Sequence, residues 1–116
     1  MFRFESLDIW KLAIEYGNKL YDIADSLPQK EMYGLSSQLR RATVSISNNI
    51  AEGSGANTNR DFSCFLDISI KSSLETVNIL YFALLRKYIN ETQQKDLYEE
   101  AEKLIRKTRA FKRGLK

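Results

Sequence analysis

Apolar residues recur at steps of three and four in four successive segments, a spacing that amphipathic α-helices satisfy and strands do not. Trp10, Ala13, Gly17, Leu20, Ala24 and Leu27 follow it first, then Leu35, Leu39, Ala42, Ile46 and Ile50. Phe62, Leu66, Ser69, Ser73, Thr76, Leu80 and Leu84 form the third seam; Leu97, Ala101, Leu104, Thr108, Phe111 and Leu115 form the fourth. Helices joined by short connections must pack antiparallel. The expected fold is therefore all-α, an antiparallel up-and-down four-helix bundle, as a single domain over residues 1–116. One proline and five glycines fit helices better than a turn-rich β architecture.

Local signals place the boundaries. Ser6 is a candidate N-cap with Asp8 in the first turn, and Pro28 stops the first helix after about Leu27. The second helix is expected from near Glu31 to the run Gly53-Ser54-Gly55, where a glycine can take a left-handed C-cap. That run is not a phosphate loop, since it follows a helix and lacks the Lys-Ser/Thr pair. Thr58 with Asp61 resembles a capping box, and the third helix should reach about Tyr88, a rod of about 45 Å at ~1.5 Å per residue. Asn90 with Gln93 starts the fourth. Gly17 weakens the first helix by about 1 kcal/mol relative to Ala; it either permits close helix approach or is merely tolerated.

Two helices carry more than one ordered face. Beside its apolar seam the second helix has a polar row, Gln38, Arg41, Ser45, Asn48 and Glu52, again at steps of three and four. Such a row is either a solvated flank or a surface hydrogen-bonded to another helix or subunit. The third helix has a second face of Phe65, Ile68, Ser72, Glu75, Ile79 and Phe82, and a third of Ile70, Tyr81 and Tyr88. One small bundle cannot cover all of that, so a homo-oligomer is expected. Arg41 is expected to pair with Glu75, and the remaining polar atoms to be satisfied by Ser45, Asn48, Asn49 and Ser72.

The stretch Gln38 to Gly55, QLRRATVSISNNIAEGSG, resembles the signature of the 23S rRNA intervening-sequence proteins. Gln38 to Ala42, Ser45-Ile46 and Asn49 to Gly53 carry the likeness, with Leu7, Trp10, Ala13, Phe62, Phe65-Leu66, Ser72 and Glu75 outside the block. Lys71 departs from the pattern, which has a small residue there, usually Gly; this bears on how closely the third helix approaches its neighbour. The resemblance implies a four-helix bundle and a pentamer. The family is similar to the accessory protein of diversity-generating retroelements, a basic pentameric barrel that binds nucleic acid and a reverse transcriptase.

Charge points the same way as far as it goes. The net is +3, yet the segment from Lys103 onward holds seven basic residues and no acid, leaving a net of −4 elsewhere. Lys103, Arg106, Lys107, Arg109, Lys112, Arg113 and Lys116, with Arg40 on the second helix, form candidate phosphate contacts for RNA or DNA. Alternatively, acids followed by bases along the fourth helix complement its dipole and serve solubility. No base-reading motif appears, so backbone- or shape-directed, salt-sensitive binding is expected.

Histidine is absent, which removes the commonest general base and the usual triads, and one cysteine cannot build a thiolate zinc site. Cys64, among apolar neighbours, is expected to be buried and inert. Glu52 and Glu75 could hold a metal or act as an acid–base pair, but an ion pair with Arg41 is the simpler role for a desolvated carboxylate. No cofactor and no catalytic residue are expected. No signal-like segment is seen, and the apolar run Ile79 to Leu85 is too short to span a bilayer, so a cytoplasmic setting is expected. The leading expectation is a non-enzymatic nucleic-acid-binding protein. The alternative is an oligomeric adaptor for a protein partner such as a reverse transcriptase.

Overall fold

The structure is a computed structural model and describes residues 1–115; Lys116 lies outside the described residues. Four α-helices, α1 (Asp8–Ser26), α2 (Leu35–Ser54), α3 (Asn59–Leu85) and α4 (Glu91–Arg113), pack as an up-and-down bundle of 44 × 24 × 22 Å. Chain neighbours lie side by side and α1 closes on α4.

Helix ends differ from the sequence expectation wherever a local bond serves another purpose. Arg3–Ser6 forms a 3-10 turn, and the Ser6 hydroxyl donates to Arg3 O (2.9 Å) instead of capping. Leu7 is the N-cap of α1, without a side-chain bond. Leu27 is extended (φ −69°, ψ 152°), as the residue before a proline must be. A 3-10 turn over Gln29–Glu31 follows, and α2 begins at Leu35, not near Glu31. Glu31 supports that start from outside: its Oε1 accepts from Leu35 N at 3.4 Å, and its Oε2 accepts from the Tyr88 hydroxyl at 2.9 Å.

The glycine caps are also different. Gly55 has φ −94° and Gly114 φ −76°, and no glycine is left-handed; Lys87 alone has positive φ (64°) among the described residues. That kink ends α3 at Leu85 instead of Tyr88, with the Tyr88 amide turned back onto Ala83 O (2.8 Å). At the start of α3, Thr58 Oγ1 accepts from Asp61 N at 3.1 Å, which is half of the expected box. Asn90 and Gln93 make the full reciprocal box at α4, with bonds of 2.8 and 2.9 Å.

The core is the four seams. Leu20, Leu39, Ile46, Ile50, Leu66 and Ala101 are fully buried, and Trp10, Leu35, Leu84, Phe111 and Leu115 pack half-buried against them. Small residues let α2 and α3 come close. A Cβ on Gly53 would lie 2.7 Å from Phe65 Cβ, and Ser69 Oγ donates to Ile46 O across the interface (2.9 Å). One on Gly17 would lie 3.0 Å from the Thr43 methyl, so close approach of α1 to α2 is the role of that glycine. Tyr16, the largest fully buried side chain, reaches across the core to Thr76 (O–O 2.9 Å). Thr76 already donates to Ser73 O (2.6 Å), so Tyr16 is the donor.

By length and composition α3 is long and apolar enough to cross a membrane, although no run as short as Ile79–Leu85 suggests it; 44% of its most apolar window is buried against the other helices. Five of its apolar side chains stay exposed in the single chain: Ile68, Leu74, Tyr81, Phe82 and Leu85.

Candidate nucleic-acid interface

The basic half of α4 divides by what each cation touches. Lys112 is bound to Asp67 on α3 at 2.7 Å. Lys103, Arg106, Lys107, Arg109 and Arg113 are exposed and make no ion pair among the described residues. Arg40 is far from them in sequence and differently employed: its guanidinium binds Asp25 on α1 at 2.5 Å and lies 5.9 Å from the centre of the Tyr21 ring. The structure therefore separates Arg40 from the tail residues with which its charge had grouped it.

Helical geometry sorts the free cations further. Arg106, Arg109 and Arg113, at steps of three and four, line the valley between α4 and α3. Two adjoining recesses of about 440 and 500 Å³ run along it and share Leu74, Arg109 and Arg113. Val77 and Ile105 floor the first, and Ile70 floors the second. Lys71, the residue that departs from the family pattern, stands exposed on the second recess beside Lys112 and adds to its charge. Tyr98 and Glu102 close the other end. Sequence reading missed Lys71, Leu74 and Tyr98 because they belong to two helices, and only the α3–α4 packing brings them to one valley.

The polar row of α2 meets α3. Ser45 Oγ and Ser72 Oγ are hydrogen-bonded at 2.8 Å, and Asn49 Nδ2 donates to Ser45 O and Oγ at 2.7 and 3.0 Å. Ser45 and Ser72 join the helices, and Asn49 braces Ser45 from the next turn of α2. Arg41 and Glu75 do not pair within the chain. Both are exposed, Arg41 donates to Ser37 Oγ (3.3 Å), and Glu75 is not desolvated, because Ile68 and Phe82 beside it face outward. Arg41 and Glu75 instead line one cleft of about 400 Å³ with Gln38, Ser45 and Ser72. Arg41 also borders a second recess with Asn48, Asn49 and Glu52, and Glu52 is exposed as well. Neither carboxylate is held where a buried acid–base pair would need it. No group of three or more His, Cys, Asp or Glu side chains able to hold a metal occurs among the described residues.

Cys64 is exposed, contrary to its apolar neighbourhood in sequence, because Phe62 and Leu66 on either side of it turn inward. Among the described residues, two groups have displaced pKa values. Burial pushes the Tyr16 phenol up to about 12, against the Thr76 bond and helped by the charge of Glu100. The Glu100 carboxylate, bonded to Lys19 at 2.9 Å between α1 and α4, raises the Lys19 ammonium above its ordinary value. Both lie away from the arginine valley and belong to the scaffold.

A family model described as 23S rRNA-intervening sequence protein matches residues 5–110. Among solved structures, a protein of unknown function from the S23 ribosomal protein family of Bacteroides thetaiotaomicron has the same fold, with a TM-score of 0.82 and 21% sequence identity. The match covers 89% of this chain and 96% of that one. No curated protein matches.

Proposed function

The chain belongs to the 23S rRNA-intervening sequence protein family, and from that premise we propose that it is a non-enzymatic nucleic-acid-binding protein, with RNA as its main ligand, acting as a cytoplasmic homo-oligomer, in keeping with the pentamer its sequence resemblance implies. The observation that carries this is the set of five exposed, unpaired cations on one half of α4, three of them aligned along the α3–α4 valley. Cations that only balanced a helix dipole would be expected in the last turn, but Lys103 lies more than two turns before the end of α4. Copies of this face in an oligomer would act together on one strand.

Replacing Arg106, Lys107, Arg109 and Arg113 with Gln tests it. Binding should weaken for all sequences alike, and the slope of log affinity against log salt should fall by about three, at ~0.7 per phosphate contact on a single strand. An unchanged affinity and slope in the folded variant would remove the proposal.

The exposed apolar side chains of α3 support a second reading, an oligomeric adaptor for a protein partner. Its distinguishing result is a protein that co-purifies after nuclease treatment and is lost on Leu85→Ser, at the exposed end of α3.

A further inference from the structure

We infer that the α3–α4 valley takes a single-stranded segment of nucleic acid, with bases lodged at its tyrosine end and phosphates on its arginines; this rests on the nucleic-acid reading above. Backbone- or shape-directed binding was the expectation from sequence, and the valley offers more than backbone contacts. Tyr98 lies at one end, 38% exposed, and the Tyr81 ring meets it edge-on with centroids 6.4 Å apart. Leu74, 49% exposed, stands in the middle, where the two recesses join. Arg106, Arg109 and Arg113 follow toward the other end.

A duplex keeps its base faces stacked inside. It could reach the guanidiniums, but it would leave Tyr98 and Leu74 uncovered. A single strand offers both halves of the match, since unstacked bases lie on aromatic rings and guanidinium planes while phosphates take the charge. The carboxylates of the valley agree with that polarity. Asp67 is neutralised by Lys112. Glu102, beside Tyr98, repels phosphate at that end and can accept from the amino group of a base. From Tyr98 to Arg113 the valley is about 22 Å long at ~1.5 Å per residue, room for a strand of a few nucleotides. An acidic amphipathic helix fits less well. It needs apolar anchor pockets at i, i+3, i+4 and i+7, whereas Ile70 and Ile105 are only 8% exposed and Val77 is half-buried, leaving Leu74 and Tyr98 as the exposed apolar contacts.

Fluorescence anisotropy of the full chain decides it, with a labelled mixed-sequence 12-nucleotide RNA and the duplex of the same sequence as probes. The single strand should bind at least fivefold tighter. Tyr98→Ser should weaken single-strand binding about fivefold or more, in line with ~1–3 kcal/mol per base stacked on an aromatic ring, Leu74→Ser should weaken it by a smaller factor through lost apolar contact, and both, lying at the surface, should leave duplex binding unchanged. Arg106→Gln with Arg109→Gln should weaken both. Equal or tighter duplex binding, or single-strand affinity unmoved by Leu74→Ser and Tyr98→Ser, would overturn the inference while leaving the broader proposal standing. Binding of neither probe would overturn both. So would a synthetic acidic amphipathic peptide that alone binds and is lost on Leu74→Ser, and it would assign the valley to a protein.

Discussion

Tyr16 shows how a single core residue ties the stability of this bundle to pH. Below pH 10 its phenol is protonated whether the chain is folded or not. Between pH 10 and about 12 the unfolded chain has lost a proton that the folded chain retains. The folded state then binds more protons, so stability falls as pH rises, by about 1.4 kcal/mol per unit and roughly 3 kcal/mol by pH 12. Tyr16→Phe should cost about 1 kcal/mol at pH 7 through the lost bond to Thr76, and should flatten this alkaline decline. Urea melts at pH 7 and pH 11 check it; parallel pH profiles for the two proteins would contradict it. At this scale the seams were legible in the sequence, because period alone buries Leu39, Ile46, Leu66 and Leu104. Charges were not. Arg40 and Lys112 read as free cations, yet each has a carboxylate partner on the preceding helix, which only packing brings to it.

Single elements were legible in kind and less so at their ends. Asn90-x-x-Gln93 announced α4 correctly, because a capping box is wholly local. Ser6 misled, since its hydroxyl had a nearer acceptor in Arg3 O, and the start of α2 depends on Glu31 meeting Tyr88 from the α3–α4 turn. Gly53 is the position where helix preference and helix packing oppose each other. Alanine there would gain about 1 kcal/mol of propensity. Its methyl would press on Phe65 Cβ at 2.7 Å and Phe62 Cδ1 at 2.8 Å, and overpacking of that kind costs about 1–3 kcal/mol. Gly53→Ala should therefore lower the melting temperature. Gly55→Ala, whose new Cβ meets only Glu52 O at 3.6 Å, should leave it nearly unchanged.

For the whole molecule, the bundle and its connectivity followed from the four seams, while its outer surfaces did not. Helix α3 keeps Phe82 and Ile68 at 52% and 45% exposure on the side where Arg41 and Glu75 share a cleft without pairing. Opposite charges beside apolar side chains make a surface suited to self-association. The protein is expected to scatter light at several times the 13.5 kDa of one chain. Glu75→Lys, which sets like charges together, should shift it toward smaller species with helicity retained. A wild-type mass of one chain at micromolar concentration would defeat the expectation. The candidate site was half legible for the same reason: the arginines lie on one helix and could be read from spacing, whereas Leu74 and Lys71 join them only through packing.

The order of packing also has a kinetic consequence. Helices that are neighbours along the chain are neighbours in space, and among the four described helices α1 against α4 is the one pairing that must close a long loop. Low contact order of this kind gives folding in microseconds to milliseconds. The α2–α3 hairpin, bonded through Ser69 to Ile46 and through Ser45 to Ser72, is its natural nucleus. In stopped-flow experiments Ile46→Val should slow refolding, whereas Leu97→Ala in α4 should act mainly by hastening unfolding.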